Sequence, residues 1–177
     1  RYGVETIDQA IEDLNDYARR LAAAEISDIP NGAYTFTDHI DGIGDTPEPI
    51  ILNVVITVRD EEIIINWEGS SPMVAGGVNS TFPFTKACAY AALRSVMSAD
   101  IPNCHGFTEV IDVRAPEGTV VRPVSPGPTG ARGITGYRMI DCLFGALAQA
   151  VPDRVAADGS GGSTLPTISG MRDGKPF

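Results

Sequence analysis

Two runs of β-branched residues, IILNVVITV at Ile50–Val58 and IIINW at Ile63–Trp67, stand on either side of Asp60-Glu61. Side chains branched at Cβ pack well on a pleated surface and lose rotamer freedom in a helix. Residues 49–67 are therefore expected to form a hairpin that turns at Asp60-Glu61. A lone hairpin is barely stable in water, so the remaining chain must supply partner strands and helices to cover one face.

The flanking segments fit that need. Val4–Ile29 carries Ile7, Ile11, Leu14, Ala18 and Leu21 at alternating intervals of four and three, one face of a helix. Acids come early (Glu5, Asp8, Glu12, Asp13, Asp16) and Arg19 and Arg20 late, the order that suits the helix dipole. Pro30-Asn31-Gly32 ends it, and Ala33–Phe36 starts the first strand. The expectation is a helix packed on the sheet. A second helix is expected from Pro83 to about Ser98, capped by Ser80 or Thr81 and apolar nearly all round. Phe107–Arg114 alternates as a strand, Pro116-Glu117-Gly118 turns, and Thr119–Arg122 reads as a short strand. A third helix carries Tyr137, Ile140, Phe144, Leu147 and Val151, with Thr135 as N-cap, and stops at Pro152. Leu165–Ile168 reads as a last strand. The order of elements implies an α+β fold, a mixed, largely antiparallel sheet with three main helices packed on it.

Composition limits the function. A length of 177 residues, 43% hydrophobic and 20% charged, suits one soluble globular domain spanning 1–177. A net charge of −10 argues against nucleic acid and anionic membranes, which select Lys/Arg patches. No window approaches the ~18 uninterrupted apolar residues of a membrane-spanning helix. Cys88, Cys104 and Cys142 are odd in number and widely spaced, which fits a reducing, cytoplasmic setting and neither a disulfide framework nor a zinc motif. The chain opens at Arg1 and closes in MRDGKPF, so the expectation is an internal segment of a longer polypeptide.

Three glycine-rich segments carry the chemistry. They are Gly69–Thr81, Gly127–Gly136 and Gly159–Ser163. Glycines let backbone N–H groups approach an anion, and a helix start adds partial positive charge. The second segment is either a plain loop feeding a core helix or a substrate-side loop seated on a helix N-terminus. Asp38, His39, Asp41 and Asp45 form an acidic loop, but its spacing is not that of an EF-hand and no glutamate closes it. It reads as a solvated turn, and no residue is assigned to a metal. Cys104 beside His105 suggests thiol chemistry, although adjacent residues usually point apart.

Several segments together carry a resemblance. Gly69, Ser70, Ser71, Gly77 and Asn79 follow a strand; Ile101, Pro102, Asn103 and Gly106 approach D-I-P-x-N-x-G; Pro116–Thr119 reads P-E-G-T; Ala150–Ala157 fits A-x-P-D-R-V-x-A. In this order they resemble the hydantoinase B/oxoprolinase family, which includes the B components of N-methylhydantoinases, the C-terminal half of 5-oxoprolinase and the α subunits of acetone carboxylases. Many members carry G-G-N-x-x-[ST] before the central helix. Here Gly130-Ala131-Arg132-Gly133-Ile134-Thr135 lacks the asparagine, and Arg132 or Thr135 would replace its hydrogen bonding.

The resemblance implies part of an ATP-dependent cyclic-amide hydrolase of the hydantoinase/5-oxoprolinase type, an oligomer working with a hydantoinase A-type, actin-like ATPase subunit. ATP would be bound by that partner, no cofactor is assigned to this segment, and a divalent metal would sit elsewhere in the full-length protein. Within it, His105 and Asp158 are the catalytic candidates. Asn79, Asn103, Arg132, Gly133 and Thr135 are the candidates for binding a small cyclic amide. The alternative is a structural or interaction segment of an acetone carboxylase-like α subunit, with its metal site elsewhere.

Overall fold

The computed structural model describes residues 2–98, 100–162 and 168–176. Helix α1 (Val4–Ser27) leads into strands β1 (Gly32–Ile40), β2 (Ile50–Arg59) and β3 (Glu62–Asn66). Helices α2 (Phe82–Val96) and α3 (His105–Glu109), strand β4 (Ile111–Arg114) and helix α4 (Arg132–Leu147) follow. A 3-10 turn at Pro152–Arg154 and a small ribbon of β5 (Met171–Arg172) and β6 (Lys175–Pro176) complete the described elements.

The sheet order is β1-β2-β3-β4, antiparallel at the first two junctions and parallel at the third. The expected α+β class and mixed, largely antiparallel sheet are present. The β2–β3 hairpin pairs Arg59 with Glu62, and Asp60 takes a positive φ of 51° in the turn. Asn31 secures that turn by donating to the Asp60 carboxylate at 2.9 Å and accepting from the Asp60 amide at 2.7 Å.

One face of the sheet is the core. Alternate β2 residues Leu52, Val54 and Ile56 are fully buried. Helix α4 lies across β1 and β2 through Met139, Leu143, Ala146 and Leu147, and α2 packs beside it. Burying a Val, Leu, Ile or Met side chain stabilises the fold by about 1.5–3 kcal/mol. Gly136 sets the α2–α4 spacing, since a Cβ there would meet the Phe84 ring at 2.8 Å.

Several expectations are corrected. Helix α1 rests on the body from Leu14 onward and buries Ala18, Ala22, Ala23 and Ile26, while the side chains of Ile7, Ile11 and Leu14 are exposed. His105–Glu109 is a short helix, so the strand begins only at Ile111. Phe107 is buried in this helix, as the strand pattern would also have it, so its burial does not separate strand from helix. Gly106 selects the helix by lying against the α1 backbone at Asn15, where only hydrogen fits. Thr119–Arg122 is a turn held by isolated bridges. Thr135 is not an N-cap: α4 starts at Arg132 and the Thr135 hydroxyl, fully buried, donates to the Val78 carbonyl. Leu165–Thr167 of the expected last strand lies outside the described residues, as do Ser163 and Thr164.

Candidate functional site

The first two glycine-rich segments meet around the start of α4. Ala131 donates from its amide to Gly77 O at 2.8 Å, and Asn79 Nδ2 donates to Pro128 O at 2.8 Å. Asn79 also donates to Val74 O and Gly76 O and accepts from the Val74 amide at 2.8 Å. Fully buried, its amide is engaged with the chain itself and joins the first two loops. Amides of Met73, Val74, Ser80, Gly127 and Ala131 already donate, to Gly118 O, Asn79 Oδ1, Val120 O, Val124 O and Gly77 O respectively. Arg132 is exposed, stacks over the Phe84 ring at 5.6 Å and donates to Thr129 O at 3.2 Å. Gly133 is exposed on a groove lined by Phe84, Ala87, Cys88, Ala91 and Tyr137.

His105 and Asn103 lie elsewhere. Helix α3 packs on α1 and β4, at the sheet edge opposite β1. His105 there is 75% exposed, with Nε2 3.6 Å from Glu109 Oε1. Asn103 is exposed just before it.

Charged side chains converge instead between β1 and α4. Arg138 and Asp141 are spaced i, i+3, and apart from Arg132 at its first position they are the charged residues of α4. Asp38 reaches them from β1, and Asp158 and Gly159 from the segment after α4. Arg138 Nη2 ion-pairs with Asp38 and lies 3.8 Å from Asp158 Oδ2; Nη1 lies 3.3 Å from Asp141 Oδ2. The Arg138 side chain is 20% exposed, and Nε is buried without a hydrogen-bond partner. The Gly159 amide donates to Asp141 Oδ1 at 3.4 Å. Gly161, at φ +64°, lies so close to Arg138 that a Cβ would meet Nη1 at 2.5 Å.

This cluster opens onto a cleft of about 400 Å³ walled by Phe36, Asp38, His39, Arg138, Asp141, Phe144 and Asp158. A second hollow of about 370 Å³ shares Asp38, His39 and Arg138 and runs on to Asp41, Ile134 and Gly161. Gly145 leaves room for the Phe36 ring, which a Cβ would meet at 2.6 Å.

Burial and the hydrogen bond to Asp158 hold the Asp141 carboxyl above the usual carboxylate range, against the Gly159 amide and the Arg138 charge. Burial opposes the Arg138 charge, but the hydrogen bond to Asp38 and the surrounding carboxylates more than restore it. Cys142, beneath the cluster, shares its thiol with Phe36 O and Leu52 O at 3.6 Å, and burial followed by the Asp38 charge pushes it up to about 12. A carboxyl set beside a guanidinium in a cleft is a candidate for acid–base work. Among the described residues, no group of three or more His, Cys, Asp or Glu is arranged to hold a metal ion.

Of the sequence candidates, Asp158 stands at this cluster, and His105, Asn103 and Asn79 do not. Arg138 and Asp141 escaped the sequence reading because they sit inside an apolar helical run. Their signal was two opposite charges one turn apart on an otherwise uncharged helix interior.

A sequence model of the hydantoinase B/oxoprolinase family matches residues 1–177. The chain belongs to the hydantoinase B/oxoprolinase family. The family read from the loop motifs is thereby confirmed. The B component of a putative D-/L-hydantoinase from Pseudomonas sp. (strain NS671) is 32% identical over 182 residues, covering 97% of this chain and 31% of its own. The β component of the Pseudomonas jessenii caprolactamase is 28% identical over 159 residues, covering 89% of this chain and 27% of the relative. The crystal structure of ATP-dependent caprolactamase from P. jessenii superposes with a TM-score of 0.78 at 27% identity, over 87% of this chain and 27% of that one. Nucleotide-free acetone carboxylase shares the fold, with a TM-score of 0.73 at 16% identity over 90% of this chain and 24% of its own. This hydantoinase B-family chain thus spans about a third or less of the length of these relatives. Among the described residues no helix is long and apolar enough to cross a membrane.

Proposed function

We propose that the chain is a segment of the B-type subunit of an ATP-dependent cyclic-amide hydrolase, working in the reducing cytoplasm with an ATP-binding, actin-like A-type subunit. The observation that carries this reading is the match to the B component of a hydantoinase at 32% identity along 97% of the chain. The three cysteines, all free, agree with the compartment.

In this reading the partner activates the ring carbonyl by phosphoryl transfer, and the Arg138 cleft takes part in opening the ring. Water adds at the activated carbon, the phosphate leaves, and the C–N bond breaks with a proton passed to the leaving nitrogen; Asp141, beside Arg138 and Asp158, is the carboxyl assigned to pass that proton. Asp158 shares that proton by hydrogen bond, and Asp38 fixes the guanidinium that orders the group. General acid catalysis of this kind contributes about a hundredfold or more to rate.

The full-length subunit with its partner, supplied with ATP, tests the reading on hydantoin, 5-oxoproline and caprolactam. Ring opening coupled to ATP hydrolysis is expected with at least one. ATP hydrolysis stimulated by none of them, with ketone carboxylation in its place, would reject the hydrolase assignment.

The buried polar network supports a second reading. Asn79, Ser80, Thr85 and Thr135 are fully buried and bonded to other parts of the chain. A frame that supports an active centre on another part of the full-length protein would show the same arrangement. In that case cleft substitutions would leave turnover untouched.

A further inference from the structure

The apolar stripe of α1 changes character along its length. Ala18, Ala22 and Ile26 are fully buried on the sheet side. The same stripe continues outward as Val4, Ile7, Ile11 and Leu14, exposed by 74%, 49%, 53% and 46%. Between Val4 and Leu14 every residue is exposed, and contact with the body begins at Leu14, whose carbonyl accepts from Cys104 Sγ at 3.9 Å. At Asn15 the side chain accepts the Gly106 amide at 3.1 Å and anchors α3. The free arm is about 15 Å long. A helix of this length is marginal alone in water, and here its apolar side lies open.

Charge decides what fits. From Val4 to Tyr17 the helix carries Glu5, Asp8, Glu12, Asp13 and Asp16 and no Lys or Arg. Asp16 is paired with Arg19 and Arg20 at 2.6 and 2.9 Å, and Asp13 accepts from Gln9 at 2.9 Å. By helical periodicity Glu5, Asp8 and Glu12 border one flank of the stripe. A second copy laid along it would set this acidic flank against its twin, and like charges in register are unfavourable. Anionic lipid is disfavoured on the same ground. A surface with Lys or Arg beside an apolar ridge gains on both counts.

We propose that the Val4–Leu14 arm is a docking element for a protein segment that presents an apolar ridge bordered by basic residues. It engages that segment as one helix laid against another, with Ile7, Ile11 and Leu14 as anchors. The inference stands apart from the hydrolase reading, since it uses no residue of the Arg138 cleft.

Two synthetic helical peptides of about 20 residues test it, with the same leucine ridge and either Lys/Arg or Glu on its borders. Binding to this chain is followed by fluorescence anisotropy at about 50 and about 300 mM salt. The basic peptide is expected to bind, more weakly at the higher salt, and the acidic one not to bind. The I7Q/I11Q double variant, altered at exposed positions and checked for native circular dichroism, is expected to bind the basic peptide at least about tenfold more weakly. Equal binding of the two peptides would overturn the proposal, as would no binding of the basic one or full binding by the double variant. Sedimentation provides a further arm: a dimer of this chain that I7Q/I11Q dissolves would assign the stripe to a second copy and overturn it.

Discussion

Burial and the neighbouring Asp158 raise the pKa of Asp141 above its ordinary 3.8. The folded chain therefore binds this proton more tightly than the unfolded chain. Stability then falls as pH rises from about 3.8 through the raised native value, and levels off above it. Asparagine copies the protonated shape and has nothing to ionise. Asp141→Asn is thus expected to gain thermal stability relative to the native chain as pH rises through that window, with little difference below it. Melting curves of both chains across pH check this. A gap that narrows on going to neutral pH would mean that the ionised form is the favoured one and would remove Asp141 as a proton holder. The cysteines make a related point at this scale. Burial pushes Cys88 to about 11 and Cys142 to about 12, so neither supplies a thiolate near neutrality.

Among the elements, the contact between α1 and α3 is the most exacting. A Cβ on Gly106 would lie 1.8 Å from the Asn15 carbonyl oxygen, and backbone cannot swing aside as a side chain can. Gly106→Ala is expected to destabilise by about 3 kcal/mol or more and to loosen α3 from α1, judged from the cost of overpacking. Denaturant melts give the loss, and a cost under about 0.5 kcal/mol would show that the two helices shift apart freely. The same contact explains which elements were legible in the sequence. The hairpin was readable because Ile50–Trp67 has one extended solution, and α2 because Thr81 and Pro83 mark its start. His105–Glu109 was not, since its conformation is set by a neighbour 91 positions away in the chain. The start of α4 was misread for a similar reason. Gly130, Gly133 and Thr135 look like a loop and a cap, yet Thr135 bonds to Val78, and Gly136 is small because Phe84 lies against it.

At the scale of the molecule, the first two glycine-rich segments come together beside the start of α4. Two of the three are bound to each other through Asn79, Gly77 and Ala131. The charged cleft formed where β1, α4 and the segment after α4 converge. Asp38 and Asp158 stand 100 and 20 positions from Arg138, a grouping that linear spacing could not reveal. The relatives extend well beyond this span, since the chain covers 31% of the hydantoinase B component and 27% of the caprolactamase chain.

For the proposed function, the most direct measurement is single-turnover ring opening by the full-length protein together with the proposed ATP-binding partner, with the full-length protein carrying Asp141→Asn and its folding and partner binding verified. A fall of about a hundredfold or more in the ring-opening rate, with ATP binding retained, is the expected result. Ring opening at the unaltered rate would contradict the account and leave the cleft as part of the frame.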